Sequence, residues 1–200
     1  MQNVKTTYEV CSMGHSQADK ARSRERILSQ AAEQIRDGGL ESISVAKLMR
    51  SANLTHGGFY GHFASRSELL THALERAMED GKAAFEANKG DAAPDFKKTV
   101  RSYLSRTHRD SRTTGCAIAA LAGEVARADD PARETMSAHI ERFVDRIDAE
   151  LGADDPDEAI FAVSAMIGAL VVARVMADEK RSDAVLAAAK RQLLAMCDRE

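Results

Sequence analysis

The sequence predicts an all-α fold of about nine helices, a group of three followed by a group of six. Three observations carry that prediction. Only 3 Pro and 12 Gly punctuate a 200-residue chain rich in Ala, Leu, Arg and Glu, all strong helix formers. Apolar residues recur at three- and four-residue spacing, the period of one helix face, and no stretch alternates as a half-buried strand would. Helix-start chemistry recurs too: Ser44, the pair Ser65 and Glu68, Asp130-Pro131 and Asp155-Pro156 each precede an apolar stripe.

Residues 1–16 read as a mobile leader, with Met13 a second natural start. The first helix opens at Ser16-Gln17-Ala18-Asp19. Lys20, Arg22, Arg24 and Arg26 make its cationic stretch, ahead of the apolar Ile27, Leu28, Ala31, Ala32 and Ile35. Gly38-Gly39 ends it, because glycine takes the left-handed backbone at no steric cost. Ser44 caps a second helix, on which Val45, Leu48 and Met49 share a face. Ala52-Asn53-Leu54 is a turn at a residue that tolerates positive φ. Thr55 caps a third helix, to about Gly61, too short to hold its shape without tertiary support. Two short helices around a tight turn make a helix-turn-helix.

Ser65-Arg66-Ser67-Glu68 is a capping box that launches a long helix with Leu69, Leu70, Ala73, Leu74, Ala77 and Met78. Residues 88–94 are the clearest break in the chain. Phe96, Val100, Tyr103 and Leu104 then form a helical stripe. Residues 111–115 are a loop, and Cys116 to Ala122 a compact apolar helix. The two Asp-Pro pairs start helices from Pro131 to about Leu151 and from Pro156 to about Ala177. The first carries Met136, Ile140, Phe143, Val144 and Ile147. A last helix runs from about Ser182 to Cys197 with Val185, Leu186, Leu193 and Leu194.

Charge is divided unevenly. Residues 1–66 hold 9 Lys and Arg against 6 Asp and Glu, a net of +3, whereas the other 134 hold 19 against 25, a net of −6. The basic part is the part with the helix-turn-helix, as a phosphate-binding surface requires. Three well-separated cysteines, Cys11, Cys116 and Cys197, give neither a disulfide framework nor a zinc site and fit a reducing cytoplasm. The apolar run Ala159 to Ala177 contains Ser164, Gly168 and Arg174 and opens on Asp157-Glu158, so it reads as a buried helix or partner interface, not a membrane span. His56 and His62, six apart without nearby Cys or carboxylate, do not make a metal site. No phosphate loop, nucleophile elbow or dinucleotide turn is present, so an enzyme is not expected.

The run Thr55-His56-Gly57-Gly58-Phe59-Tyr60-Gly61-His62-Phe63, together with Ile27-Leu28, Ala31-Ala32, Gly39-Leu40, Leu48, Leu54, Ser65-Arg66 and Leu69, resembles the DNA-binding domain of the tetracycline-repressor (TetR/AcrR) family of bacterial transcriptional regulators. The resemblance covers about a quarter of the chain. Asn53 stands where Gly is usual and Met49 where Ala is usual; Asn can take the turn and Met can fill an irregular gap. The resemblance implies a DNA-binding domain over residues 17–65 and a helical ligand-binding and dimerisation domain over 66–200. It implies a homodimer joined through the last two helices, and hence a palindromic double-stranded operator.

Within that frame the DNA-binding candidates are Lys20, Arg22 and Arg24 of the arm, Ser44, and Thr55, His56, Gly57, Gly58, Tyr60, His62 and Arg66. The glycines allow close backbone approach. Tyr60, His62 and Arg66 carry groups suited to phosphate. His56 is the candidate base reader, and Phe63 belongs to the core. Tyr103, Cys116, Met136, Phe143, Phe161 and Met166 are pocket candidates, because sulfur and aromatic groups suit adaptable apolar sites, with plain core packing the alternative at each. The expected function is a cytoplasmic, ligand-responsive repressor with an unidentified small apolar or amphipathic effector, no other cofactor and no membrane partner. Its rivals are a small-molecule binder with a vestigial DNA domain and an architectural protein that binds duplex without sequence choice.

Overall fold

The computed structural model describes residues 17–87, 95–152 and 154–197, where nine α-helices and two 3-10 segments account for the regular structure and no strand occurs. The expected leader, with Cys11, His15 and Met13, and the expected break at 88–94 lie outside the described residues. In chain order the helices are α1 (Gln17–Gly38), α2 (Val45–Ser51), α3 (Arg66–Ala87), α4 (Phe96–Tyr103), α5 (Arg106–Asp110), α6 (Ala117–Val125), α7 (Asp130–Leu151), α8 (Pro156–Val175) and α9 (Glu179–Met196).

Helix α1 buries the predicted Ile27, Leu28, Ala31, Ala32 and Ile35, and lies along α3. Gly39 follows at φ +83°, the left-handed region that favours glycine. A 3-10 turn, Leu40–Ser42, leads to α2, where Ser44 Oγ accepts the Lys47 amide at 3.4 Å. Asn53 takes φ +58°, as the turn requires.

The next segment departs from expectation. His56–Gly61 is a 3-10 helix, with Gly58 N–H bonded to the Thr55 carbonyl at 3.0 Å and His62 N–H to the Phe59 carbonyl at 2.9 Å. The Thr55 hydroxyl makes no capping bond. Three glycines in six residues remove the packing that would favour α geometry, and Phe59 and Phe63, both buried with rings 5.7 Å apart, pin the segment instead. Ser65 Oγ accepts the Glu68 amide at 3.0 Å, while the Glu68 carboxylate takes the Ala64 amide at 2.6 Å, closing the predicted box one residue early.

Two further boundaries differ, and one helix is new. Asp129, not Asp130, caps α7 through the Ala132 amide, so the proline sits one place deeper. Helix α9 begins at Glu179 under an Asp178 cap, and Ser182 is buried with its hydroxyl donating to the Ala173 carbonyl of α8 at 2.7 Å. Helix α5 was not expected. Its sequence has no apolar period, and it is held by a Ser105 cap and by buried Arg109, which meets Asp183 of α9 at 2.9 Å.

The core has two parts. One apolar cluster runs unbroken from Ile27, Leu48 and Phe63 through Leu69 and Leu74 to Leu121 and Met136. The other joins α4, α7, α8 and α9 around Val100, Ile147, Met166, Leu170 and Leu193. The first cluster therefore packs the helix-turn-helix directly against α3 and α6.

Candidate nucleic-acid interface and effector cavity

The outward face of the helix-turn-helix is built from what the core leaves over. Phe59 and Phe63 turn inward, which sends Tyr60 outward with 72 % of its surface exposed. Thr55, His56 and Gly57 are exposed beside it. A Cβ on Gly57 would meet nothing within 4 Å, and one on Gly58 only the Thr55 hydroxyl at 3.5 Å and Met49 at 3.8 Å. The protein's own packing therefore does not demand these glycines. Their effect is a bare patch that a duplex could approach closely.

The cations around this patch are unequal. Lys20 is exposed, and Arg22 pairs with Asp19. Arg24 stacks its guanidinium 4.6 Å from the Phe63 ring centre and lies 3.9 Å from Glu68. His62 is half-buried against Phe63, and its Nδ1 is buried without a hydrogen-bond partner. Burial, then the charges of Lys20 and Arg24, hold its imidazole below the ordinary value. It sits between the arm and the turn, only partly open to a phosphate. Arg66 is half-exposed and donates to the exposed Glu41 carboxylate at 3.2 Å and to the Leu40 carbonyl at 3.4 Å. Lys47 and Arg50, not among the sequence candidates, stand exposed on α2. They flank the buried Leu48 and Met49 on the opposite side of the helix.

A cavity of about 430 Å³ lies between α3, α4, α6 and α7. Of the sequence candidates, Tyr103, Cys116 and Phe143 line it. Met136, Phe161 and Met166 do not. Met136 and Met166 are buried in the two core clusters, and Phe161 faces outward from α8 with 58 % of its surface exposed. Met78 and Ile118 complete the apolar wall, while His108, His139, Lys82, Arg142, Asp145 and Arg146 supply polar lining that sequence reasoning missed. A search for sulfur and aromatic groups passes over such residues, and which charges share a cavity depends on how α3 meets α7.

Inside, the Tyr103 hydroxyl donates to Cys116 Sγ at 3.0 Å. Burial pushes the Tyr103 phenol well above its usual value, and Cys116 adds to the shift. His108 has both nitrogens engaged. Nδ1 meets the Tyr103 carbonyl at 2.7 Å and must carry the proton, and Nε2 accepts the Cys116 amide at 3.2 Å. The ring is fixed as one neutral tautomer, consistent with burial lowering its pKa.

Residues 27–73 match the family described as bacterial regulatory proteins, tetR family. Along nearly its whole length the chain is 30 % identical to an uncharacterised HTH-type transcriptional regulator of Mycobacterium tuberculosis, over 86 % of this chain and 94 % of that one. The chain belongs to the TetR family. The same fold occurs in a TetR transcriptional regulator from Chloroflexus aurantiacus, with a TM-score of 0.75, 22 % identity and coverage of 92 % of this chain and 98 % of that one. It occurs also in the reduced form of Escherichia coli NemR, with a TM-score of 0.69, 18 % identity and coverage of 86 % and 95 %.

The protein is thus a DNA-binding transcriptional regulator, built on a fold that binds DNA and dimerises. One feature of this TetR-family chain bears on the second property. Helix α8 is long and apolar enough to cross a membrane, yet only 33 % of its most apolar window is buried. Its inner face packs against protein, and Arg174 near its end donates to the carbonyls of His108, Arg109 and Ser111. Its outer face exposes Ile160, Phe161, Val171, Val172 and Val175 at helical spacing.

Proposed function

We propose that this TetR-family regulator is a cytoplasmic, homodimeric, ligand-responsive repressor of a palindromic operator, without catalytic activity. Residues 17–65 are the reading unit, and residues 66–200 hold the effector and the dimer seam. The observation that carries the ligand response is a short path of contacts. His108 and Cys116 line the cavity, and Thr113, in the loop between them, gives its carbonyl to the Arg36 guanidinium of α1. Arg36 also donates to the Ala77 carbonyl of α3 at 3.0 Å. A ligand that displaces the cavity wall displaces a hydrogen-bond partner of the reading unit. It releases DNA if it binds more tightly to the form whose two reading units are wrongly spaced, and a coupling of about 1–3 kcal/mol changes DNA affinity roughly 5- to 150-fold.

The dimer reading rests on the outer face of α8. So much contiguous apolar surface favours burial against a partner, and the exposed Ala184, Ala188 and Ala195 of α9 let a second pair of helices approach closely. An isologous four-helix seam buries both, and two-fold symmetry makes the operator palindromic. Lys20, Arg22, Arg24, Ser44, Thr55 and Gly58 border the DNA, Tyr60 contacts phosphate, and His56 reads bases.

Selection of bound fragments from genomic DNA, followed by gel shifts at fixed salt, tests this reading. A recurrent two-fold site bound at least about a thousandfold more tightly than random duplex is expected. Equal affinity for both makes the protein architectural, and no binding makes the DNA unit vestigial. Val172→Asp is expected to leave a folded monomer by light scattering that no longer binds the full site.

A further inference from the structure

We propose, resting on the effector reading above, that the cavity between α3, α6 and α7 takes an amphipathic organic anion: a carboxylate or similar group on an apolar body. Two observations combine. The interior wall is apolar, formed by Met78, Tyr103, Ile118 and Phe143, and its volume of about 430 Å³ suits a molecule of drug-like size. The charged lining is lopsided. Among the described lining residues, Lys82 comes from α3 and Arg142 and Arg146 from α7, against one carboxylate, Asp145.

Neither cavity histidine offsets or adds to that balance. His108 is fixed neutral between the Tyr103 carbonyl and the Cys116 amide. His139 accepts from Arg142 through Nδ1 at 3.0 Å. Burial, then Arg142, Lys82 and Arg146, lower its pKa, which places all three cations around one ring. A cleft lined mainly by one sign of charge, with low-dielectric walls, concentrates ions of the opposite sign. The Arg146 guanidinium stands 4.9 Å from the Phe143 ring centre, and that ring is 5.7 Å from Tyr103. Cation and aromatic wall are therefore adjacent, so one ligand can place its anion and its apolar body at the same time. Arg142 is exposed, where an incoming carboxylate meets it first.

Dodecanoate, dodecanol and dodecylammonium carry one chain with charges of −1, 0 and +1, and titration calorimetry of the full-length protein below their micelle concentrations tests the assignment. Dodecanoate is expected to bind most tightly, with Kd at least about tenfold below that of dodecylammonium and dodecanol between them. Arg142→Glu, an exposed substitution, is expected to weaken dodecanoate about tenfold and to tighten dodecylammonium, a gain that misfolding cannot produce. Dodecanol or dodecylammonium binding as tightly as dodecanoate overturns the proposal, and so does no binding of any of the three. Operator release is read separately by gel shift. Dodecanoate bound in the expected order with DNA retained upholds the cavity chemistry and fails the effector reading. Release by dodecanol or dodecylammonium, with dodecanoate inert, keeps the effector reading and overturns the anion.

Discussion

Glu124 of α6 accepts the Leu40 amide N–H at 2.7 Å, tying the C-terminal helices to the turn that follows α1. The same carboxylate fills the space a side chain on Gly39 would need, and Gly39 holds φ +83°. Gly39→Ala therefore meets backbone strain and a clash together, and is expected to lower stability by about 1–3 kcal/mol in urea unfolding. Glu124→Ala removes the acceptor but no strain is added. It is expected to cost about 1–2 kcal/mol and to weaken coupling between ligand and operator. Unchanged ligand coupling in a folded Glu124→Ala protein would remove this contact from the signalling path.

Arg36 is the second tie, and it is buried. Its guanidinium serves the Thr113 and Ala77 carbonyls and lies 3.6 Å from Asp80. Arg36→Ala takes the donor from the Thr113 carbonyl and the cation from Asp80, and is expected to cost about 3 kcal/mol or more. Arg36→Lys is expected to recover little of it, because one ammonium cannot reproduce a planar fork that spans separate acceptors. Full recovery by lysine would mean that charge alone holds the joint.

Phosphate contacts should be sought where cations are free of internal duties. Arg66 is committed to Glu41 and Leu40, whereas Lys47 and Arg50 stand exposed on α2. Lys47→Ala and Arg50→Ala are each expected to reduce the slope of log K against log salt by about 1 and to weaken all sequences alike. Arg66→Ala is expected to act more on folding than on that slope. His56→Ala, by contrast, is expected to change the preferred sequence in a selection assay, and an unaltered preference removes it as base reader.

His108 makes stability depend on pH. Its folded pKa lies below the ordinary 6.5, so the unfolded chain binds the proton more readily. The sign follows: this contribution is fully present above about pH 6.5 and is lost as pH falls through that value toward the folded pKa. His108→Asn retains an N–H for the Tyr103 carbonyl and abolishes the titration. Its stability is expected to vary less between pH 5 and 7 than that of the parent in urea melts, and equal slopes would assign the acid sensitivity elsewhere.

The helices and their caps were legible because they rest on local chemistry. Ser44, Asn53, Ser65 and Asp155 act on backbone groups within a few residues, and Ile27 to Ile35 bury the face that their spacing defines. The resemblance carried by Thr55 to Phe63 likewise survives, although the segment winds as a 3-10 helix. The candidate site was half legible. Tyr103, Cys116 and Phe143 do share a cavity, but Met136, Phe161 and Met166 are equally sulfur-bearing or aromatic and lie elsewhere.

Local sequence thus determined the longer helices, the turn and the family. Tertiary packing alone decided which cations remain available, since Arg66 is taken by residues twenty-five positions away and Arg174 by the loop before α6. It also decided the cavity, where Lys82 meets Arg142 only because α3 lies against α7. A cap depends on neighbours along the chain, whereas the charge of a cavity depends on neighbours in space.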